Sequence, residues 1–298
     1  MSILSKTKAM KINTISPDKH KYLQMIGAIA KPPKTLHIRG RIPPDRLLSV
    51  AIVGTRKPTL YGTQVTCEIA DRLARKGIVI ISGLAYGIDA SAHMAALDAN
   101  GTTIAILAHG LDETYPRSHE GLADRIVQND GALITEYSSG AGVRKHHFLE
   151  RNRIVSGLAD AVIVVEAGER SGTLSTVMHA LEQGKEVFAV PGNITSPQSV
   201  GPNRLIQQGA HPVISVDDIL AVIAPHLIDV ESESGPPRGN TPDESIILQF
   251  IYQGVTEKEA LLAASGLNAS QFLQTITMLE IAELITVRAE HYIIRGSP

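Results

Sequence analysis

From residue 50 onward one pattern repeats along the chain. A short run of β-branched and small apolar residues is followed by a stretch with helical spacing. SVAIVG precedes YGTQVTCEIADRLARKG, IVIISG precedes GIDASAHMAALDANG, and TIAILA precedes GLADRIVQNDG. ALITEY, ADAVIVVEA and KEVFAVPG then lead into HFLERNRIVSGLA, TLSTVMHALEQG and GPNRLIQQGA, and PVIS closes the series. These runs do not alternate apolar with polar residues, so both faces of each strand must be covered. Strands separated by crossover helices pair in parallel. The expected fold is α/β, an extended Rossmann-like doubly wound parallel sheet. Gly77, Gly101, Gly131 and Gly184 follow helical stretches, where a left-handed residue is expected to end each helix.

This domain is assigned to residues 36–230. ESESGPPRGNTP, residues 231–242, is polar, Pro/Gly-rich and aperiodic, and reads as a linker. Residues 243–298 carry three helical patterns and then LITVRAEHYIIR, which alternates like a short hairpin. Three helices and a two-stranded wing suggest a small C-terminal winged-helix domain. Residues 1–35 form a basic N-terminal segment, read as a solvated arm or as a further contact for a polyanion.

Charge is distributed unevenly. The net charge is −2, yet residues 1–60 hold 12 Lys/Arg against Asp18 and Asp45. Residues 241–298 hold three basic residues against seven acids. A polyanion would therefore meet the front of the chain rather than its tail. No apolar stretch reaches the roughly 18 residues of a membrane span, and the start lacks the apolar core of a secretory signal. The single cysteine, Cys67, rules out an internal disulfide framework and suits a reducing cytosol. Its helical setting points to packing rather than thiol chemistry. A cytoplasmic protein with no membrane partner is expected.

Ligands of open α/β sheets bind at the carboxyl ends of the strands, and three loops there have unusual chemistry. VAIVGTRKPTLYG breaks from a strand into Gly54, Thr55, Arg56, Lys57 and Thr59. SGLAYGIDASAH has Gly83 and Gly87 for tight backbone, and Asp89 placed to cap a helix. ERSGTLST opens a helix with Ser171, Gly172 and Thr173, followed by Thr176. Helix starts carry free N–H groups and partial positive charge, which suit phosphate. The first loop lacks the G-x-G-x-x-G spacing, and no ribose-binding acid follows a second strand, so no nucleotide cofactor is expected.

VRKHHFLERNR, residues 143–153, adds Arg144, Lys145, Arg151, Asn152 and Arg153 around Phe148, one of only four Phe in a chain without Trp. Cations that track phosphates and a ring that stacks on a base suit single-stranded nucleic acid. Phe148 could equally be ordinary core, and Arg151 and Arg153 could form ion pairs that brace the sheet edge. His146 and His147 are adjacent and diverge on a helix, with no third ligand at metal spacing, so no metal is expected.

Together these segments, with AILAHGLDETYPRSH, ERNRIVSGLADAVIVVEAGERSGTLST and VFAVPGN, resemble the DNA-processing protein A family (DprA, also called Smf) over residues 36–220. The resemblance implies a non-catalytic homodimer that binds and protects single-stranded DNA and loads the RecA recombinase onto it in natural transformation. The family signature G-S/T-R-x-x-T falls on Gly54, Thr55, Arg56 and Thr59. Its lysine and stacking phenylalanine fall on Lys145 and Phe148. The RNR and SGxLxT-like segments fall on Arg151, Asn152, Arg153, Ser171, Gly172, Thr173 and Thr176. Thr55 stands where serine is commoner, which keeps the hydroxyl. No helical extension domain is recognisable at the short N-terminus.

Two other functions fit parts of the chain. A Rossmann-fold nucleoside-monophosphate N-glycoside hydrolase has a PGGxGTxxE segment, but Thr176 stands in that glutamate's place after Gly172-Thr173. Without the carboxylate, general acid–base catalysis has no carrier. Asp89 and Glu166 are possible substitutes, for which a helix cap and a strand-end ion pair are the simpler explanations. A winged-helix transcription regulator would rest on the tail alone. Its third helix, about residues 269–282, has no Lys or Arg to hold DNA phosphates.

Overall fold

The apolar runs form strands whose two faces are both covered. A computed structural model of the chain describes residues 12–228, 239–282, 284–288 and 291–294. The chain divides after Ile228 into two units. The first runs β1 (Ile12–Ile15), β2 (Leu36–Gly40), β3 (Ser49–Val53), α1 (Leu60–Arg75), β4 (Val79–Ser82), α2 (Ile88–Asp98), β5 (Thr103–Ile106) and α3 (Glu120–Gln128). It continues with β6 (Ala132–Thr135), α4 (Lys145–Leu158), β7 (Ala161–Val164), α5 (Thr173–Glu182), β8 (Glu186–Ala189), α6 (Val200–Gln207), β9 (His211–Pro212) and α7 (Val216–Ile223).

The nine strands make one sheet in the order β1-β2-β6-β5-β4-β3-β7-β8-β9. From β6 to β9 it is parallel, with Val50 of β3 in register with Ile80 of β4 and Ala161 of β7. The first two strands are antiparallel to their neighbours. Successive residues serve opposite faces. Ala51 and Val53 join a cluster with Ile154 and Leu158 of α4 and Val177 of α5. Val50 and Ile52 join another with Ile69 and Leu73 of α1, Ala92 of α2 and Ile219 of α7. Burying each Val, Ile or Leu contributes about 1.5–3 kcal/mol.

From residue 12 the N-terminal stretch is part of this unit rather than a solvated arm. Tyr22, Leu23 and Ile26 have no exposed surface and pack in the same cluster as β3 and α4. Lys19 and Lys21 remain at the surface, while Lys6, Lys8 and Lys11 lie outside the described residues. Two expected helix ends also differ in detail. Gly77 and Gly184 are left-handed, at φ 77° and 65°. At the other two ends Asn100 and Asp130 take that conformation, both at φ 57°, which short polar side chains tolerate. Gly101 and Gly131 instead allow close packing: a Cβ there would lie 2.6 Å from Ala74 Cβ and 2.4 Å from the Thr103 carbonyl oxygen.

The second unit consists of α8 (Pro242–Tyr252), α9 (Lys258–Ser265), α10 (Ala269–Ile281) and a hairpin of β10 (Ile285–Arg288) and β11 (His291–Ile294). Ile247, Leu248, Leu261, Phe272 and Leu279 form its core. Asn268 and Gln271 make a reciprocal capping box at the start of α10. Most of the expected linker lies outside the described residues, but Thr241 already caps α8 by accepting from the Glu244 amide. Among the described residues, no helix is long and apolar enough to cross a membrane.

Candidate nucleic-acid interface

β3 and β7 are neighbours, yet α1 leaves β3 on one face of the sheet and α5 leaves β7 toward the other. The loops after such a pair diverge and open a crevice at the carboxyl ends, the usual ligand position in this fold class. Here the crevice is a cleft of about 780 Å³. Its lining includes Gly54, Thr55, Arg56 and Lys57 from the first loop, and Ser171, Gly172, Thr173 and Thr176 from the start of α5. Lys145, Phe148, Arg151 and Asn152 of α4 line it as well.

Glu166 organises the first wall. It is 1% exposed, and its carboxylate accepts hydrogen bonds from the Thr59 amide at 2.8 Å and the Thr59 hydroxyl at 2.5 Å. Thr59 Oγ1 in turn accepts from the Gly62 amide at 3.1 Å and so caps α1. A Cβ on Gly62 would lie 2.3 Å from Glu166 Oε2, so that position admits only glycine without a shift. Among the described residues Glu166 forms no ion pair; it bonds Thr59 instead. Both groups hold the turn into α1.

The expected cradle of free backbone amides is likewise closed. The Thr55 amide donates to the Glu166 carbonyl at 2.7 Å, and the Lys57 amide to Thr55 Oγ1 at 3.2 Å. Thr173 Oγ1 donates to the Gly54 carbonyl at 3.0 Å, and the Thr173 amide to Ser171 Oγ at 3.2 Å. Asp89 does not cap α2. It reaches back to accept from the amides of Gly83 and Ala85 at 3.1 and 3.3 Å. Burial pushes its carboxyl up, opposed chiefly by the Arg151 charge. The amides of Thr55, Lys57, Gly83, Ala85 and Thr173 are thus engaged within the loops themselves.

The arginines of α4 divide by direction. Arg151 is buried and donates through Nη1 to the carbonyls of Gly83, at 2.8 Å, and Ile106. It forms the cleft floor, and a Cβ on Gly83 would lie 2.4 Å from that nitrogen. Gly83 therefore leaves room for an arginine, and its amide is held by Asp89. Arg153 makes a two-bond ion pair with Glu136, both at 2.7 Å, and donates to the Lys31 carbonyl at 3.0 Å. It does not line the cleft and acts as a brace. Asn152 ties α4 to α5 by donating to Ser175 Oγ at 2.7 Å, and Thr176 is buried.

Arg56, Lys57 and Lys145 are exposed on the cleft rim, and among the described residues none forms an ion pair. By contrast Lys21, Arg39, Arg41 and Arg46 of the basic front are paired with Asp45, Asp124, Asp130 and Asp160. Phe148 is half-buried in the wall, with the Arg56 guanidinium 5.2 Å from its ring centre. Tyr115 lies edge-on to it at 5.9 Å. Tyr115, Val143, Leu149 and Gln198 also line the cleft and carried no sequence signal beyond their places in loops and on α4. On the first turn of α4, His146, His147 and Glu150 offer ligand atoms within 4.8 Å of one another, so Glu150 is a third candidate ligand that the adjacent histidines alone did not signal.

Residues 13–224 match the family model described as DNA recombination-mediator protein A. The chain belongs to this family. It is 43% identical over 221 residues to the DNA processing protein DprA of Bacillus subtilis, a match covering 73% of either chain. The crystallographic structure of DprA from Streptococcus pneumoniae is similar with a TM-score of 0.66 at 39% identity, over 72% of this chain and 75% of that one. A Helicobacter pylori DNA processing protein A, whose structure is described as revealing its single-stranded DNA binding mode, gives a TM-score of 0.63 at 32% identity, over 72% and 95%. The chain covers between 53% and 73% of the lengths of the curated DprA and Smf relatives. The family match begins within β1, so the family domain takes in the N-terminal strands as well as the Rossmann-like strands.

Proposed function

We propose that this chain binds single-stranded DNA in the cleft between β3 and β7 without cleaving it, and delivers the strand to the RecA recombinase as a homodimer. One observation carries the binding reading: Arg56, Lys57 and Lys145, none in an ion pair among the described residues, line one cleft with the half-buried ring of Phe148, which has the Arg56 guanidinium 5.2 Å from its centre. A groove lined by cations and an aromatic face binds single strands with little regard to sequence. The single-stranded DNA binding mode of the Helicobacter pylori relative supports the same ligand. The non-enzymatic part is supported by the carboxylates. Glu166 and Asp89 are both buried and both engaged by loop donors.

The test is a titration of labelled oligo-dT against duplex of equal length at two salt concentrations. Single strands are expected to bind more tightly, with log affinity falling by about 0.7 per neutralised phosphate for each decade of salt. Equal affinity for both forms would refute the binding reading. Incubation with AMP, GMP, CMP and UMP is expected to release no free base. Delivery to RecA is tested by filament assembly on DNA precoated with a single-strand binding protein, which this chain should accelerate.

A further inference from the structure

We propose that His146, His147 and Glu150 bind one divalent zinc ion at the first turn of α4. On an α-helix each residue advances about 100°, so two adjacent histidines diverge. Glu150 is four residues beyond His146 and three beyond His147, and both spacings bring side chains together. Its carboxylate therefore lies between the two imidazole directions. The ligand atoms of all three residues fall within 4.8 Å of one another, and the two rings meet edge to face with centroids 4.5 Å apart. Ligands of a tetrahedral zinc, at about 2.0–2.2 Å from the metal, stand roughly 3.4 Å from each other. Rotation of His146 and Glu150, both exposed, closes that difference.

Two further features point to a ligand. His147 is only 8% exposed, yet its Nδ1 has no hydrogen-bond partner. A buried imidazole nitrogen ordinarily has one, and a metal would supply it. The carboxylate is already oriented from outside: the Tyr137 hydroxyl donates to Glu150 Oε2 at 2.9 Å, and the Tyr137 ring stacks on His147 at 4.0 Å. Such outer partners fix the geometry of metal-binding carboxylates and imidazoles. No described cation pairs with the Glu150 carboxylate. Two imidazoles and a carboxylate suit zinc and leave a fourth position for water, whereas magnesium and calcium prefer all-oxygen sites. The ion would clip a turn whose N-cap, Arg144, makes no side-chain capping bond, the same turn that presents Lys145 and Phe148.

The test is calorimetric titration of the full chain with zinc chloride in the absence of DNA, so its outcome is independent of the DNA-binding reading. One zinc per chain is expected, weakened at least tenfold by Glu150→Gln and by His146→Ala and unchanged by His179→Ala on α5. Magnesium should give no heat of binding. Both variants alter exposed side chains, and their melting without metal should match the wild type. Absence of saturable binding, or binding that loses less than tenfold in both variants, would overturn the site.

Discussion

Glu166 holds the loop after β3 and the start of α1 with one buried carboxylate. Glu166→Ala would strand the Thr59 amide, at a cost of about 1–3 kcal/mol. Gly62→Ala would force a methyl against the same carboxylate, and overpacking of that kind costs about 1–3 kcal/mol. Urea unfolding should show both losses, and their double variant should lose less than the sum, because removing the carboxylate makes room for the methyl. At the rim, Phe148→Ala should lower oligo-dT affinity by about 1–3 kcal/mol, the value of one stacked base. Its salt dependence should stay close to wild type. If the variant instead melts several degrees lower with affinity intact, Phe148 is core.

The parallel strands β3 to β8 were legible because burial on both faces leaves uninterrupted apolar runs, whereas the last, β9, is only His211–Pro212 and meets the run PVIS at its first residue. The stretch before β2 was not legible. Lys19, Lys21, Lys31 and Lys34 are interspersed with Tyr22, Leu23, Ile26 and Ile29, and the short 3₁₀ turns there have no 3.6-residue period. In the site, residue types were legible and roles were not. Whether the Thr55 amide is free depends on Glu166, which is remote in sequence. Arg151 and Arg153 look equivalent in the string RNR, but residues two apart on a helix face different ways. One reaches the cleft floor and the other Glu136.

Packing between elements also fixes a titration. On α2, His93 is fully buried against β5, its Nδ1 2.6 Å from Thr103 Oγ1 and its Nε2 without a partner. Burial lowers its pKa from 6.5 to about 3. The unfolded chain takes up that proton near pH 6.5 and the folded chain only near 3. Stability from this group is full above 6.5 and is lost as pH falls toward 3, at up to about 1.4 kcal/mol per pH unit. Asp89, raised by burial, acts in the opposite sense above 3.8, and comparing variants that both retain it removes its effect. His93→Leu leaves the Thr103 hydroxyl donating to the Ile80 carbonyl. Its melting temperature should fall less than that of the wild type between pH 7 and 5. Parallel pH profiles would contradict this.

Across the whole molecule, charge separates the two units. The rim cations belong to the first, whereas residues 241–298 carry seven acids and three bases, with no Lys or Arg on α10. Non-specific DNA affinity comes essentially from neutralised phosphates. Truncation after residue 230 should therefore leave single-strand affinity within a few-fold of the full chain. Residues 241–298 alone should not shift duplex DNA at moderate salt, and a tight complex there would favour a transcription regulator instead. The salt dependence of oligo-dT binding reports whether the β3–β7 cleft is the DNA site. Replacing Arg56, Lys57 and Lys145 together by alanine should weaken binding and reduce the slope of log affinity against log salt by about 2, three phosphates at roughly 0.7 each. An unchanged slope with unchanged affinity would contradict this placement and move the DNA to another face of the protein.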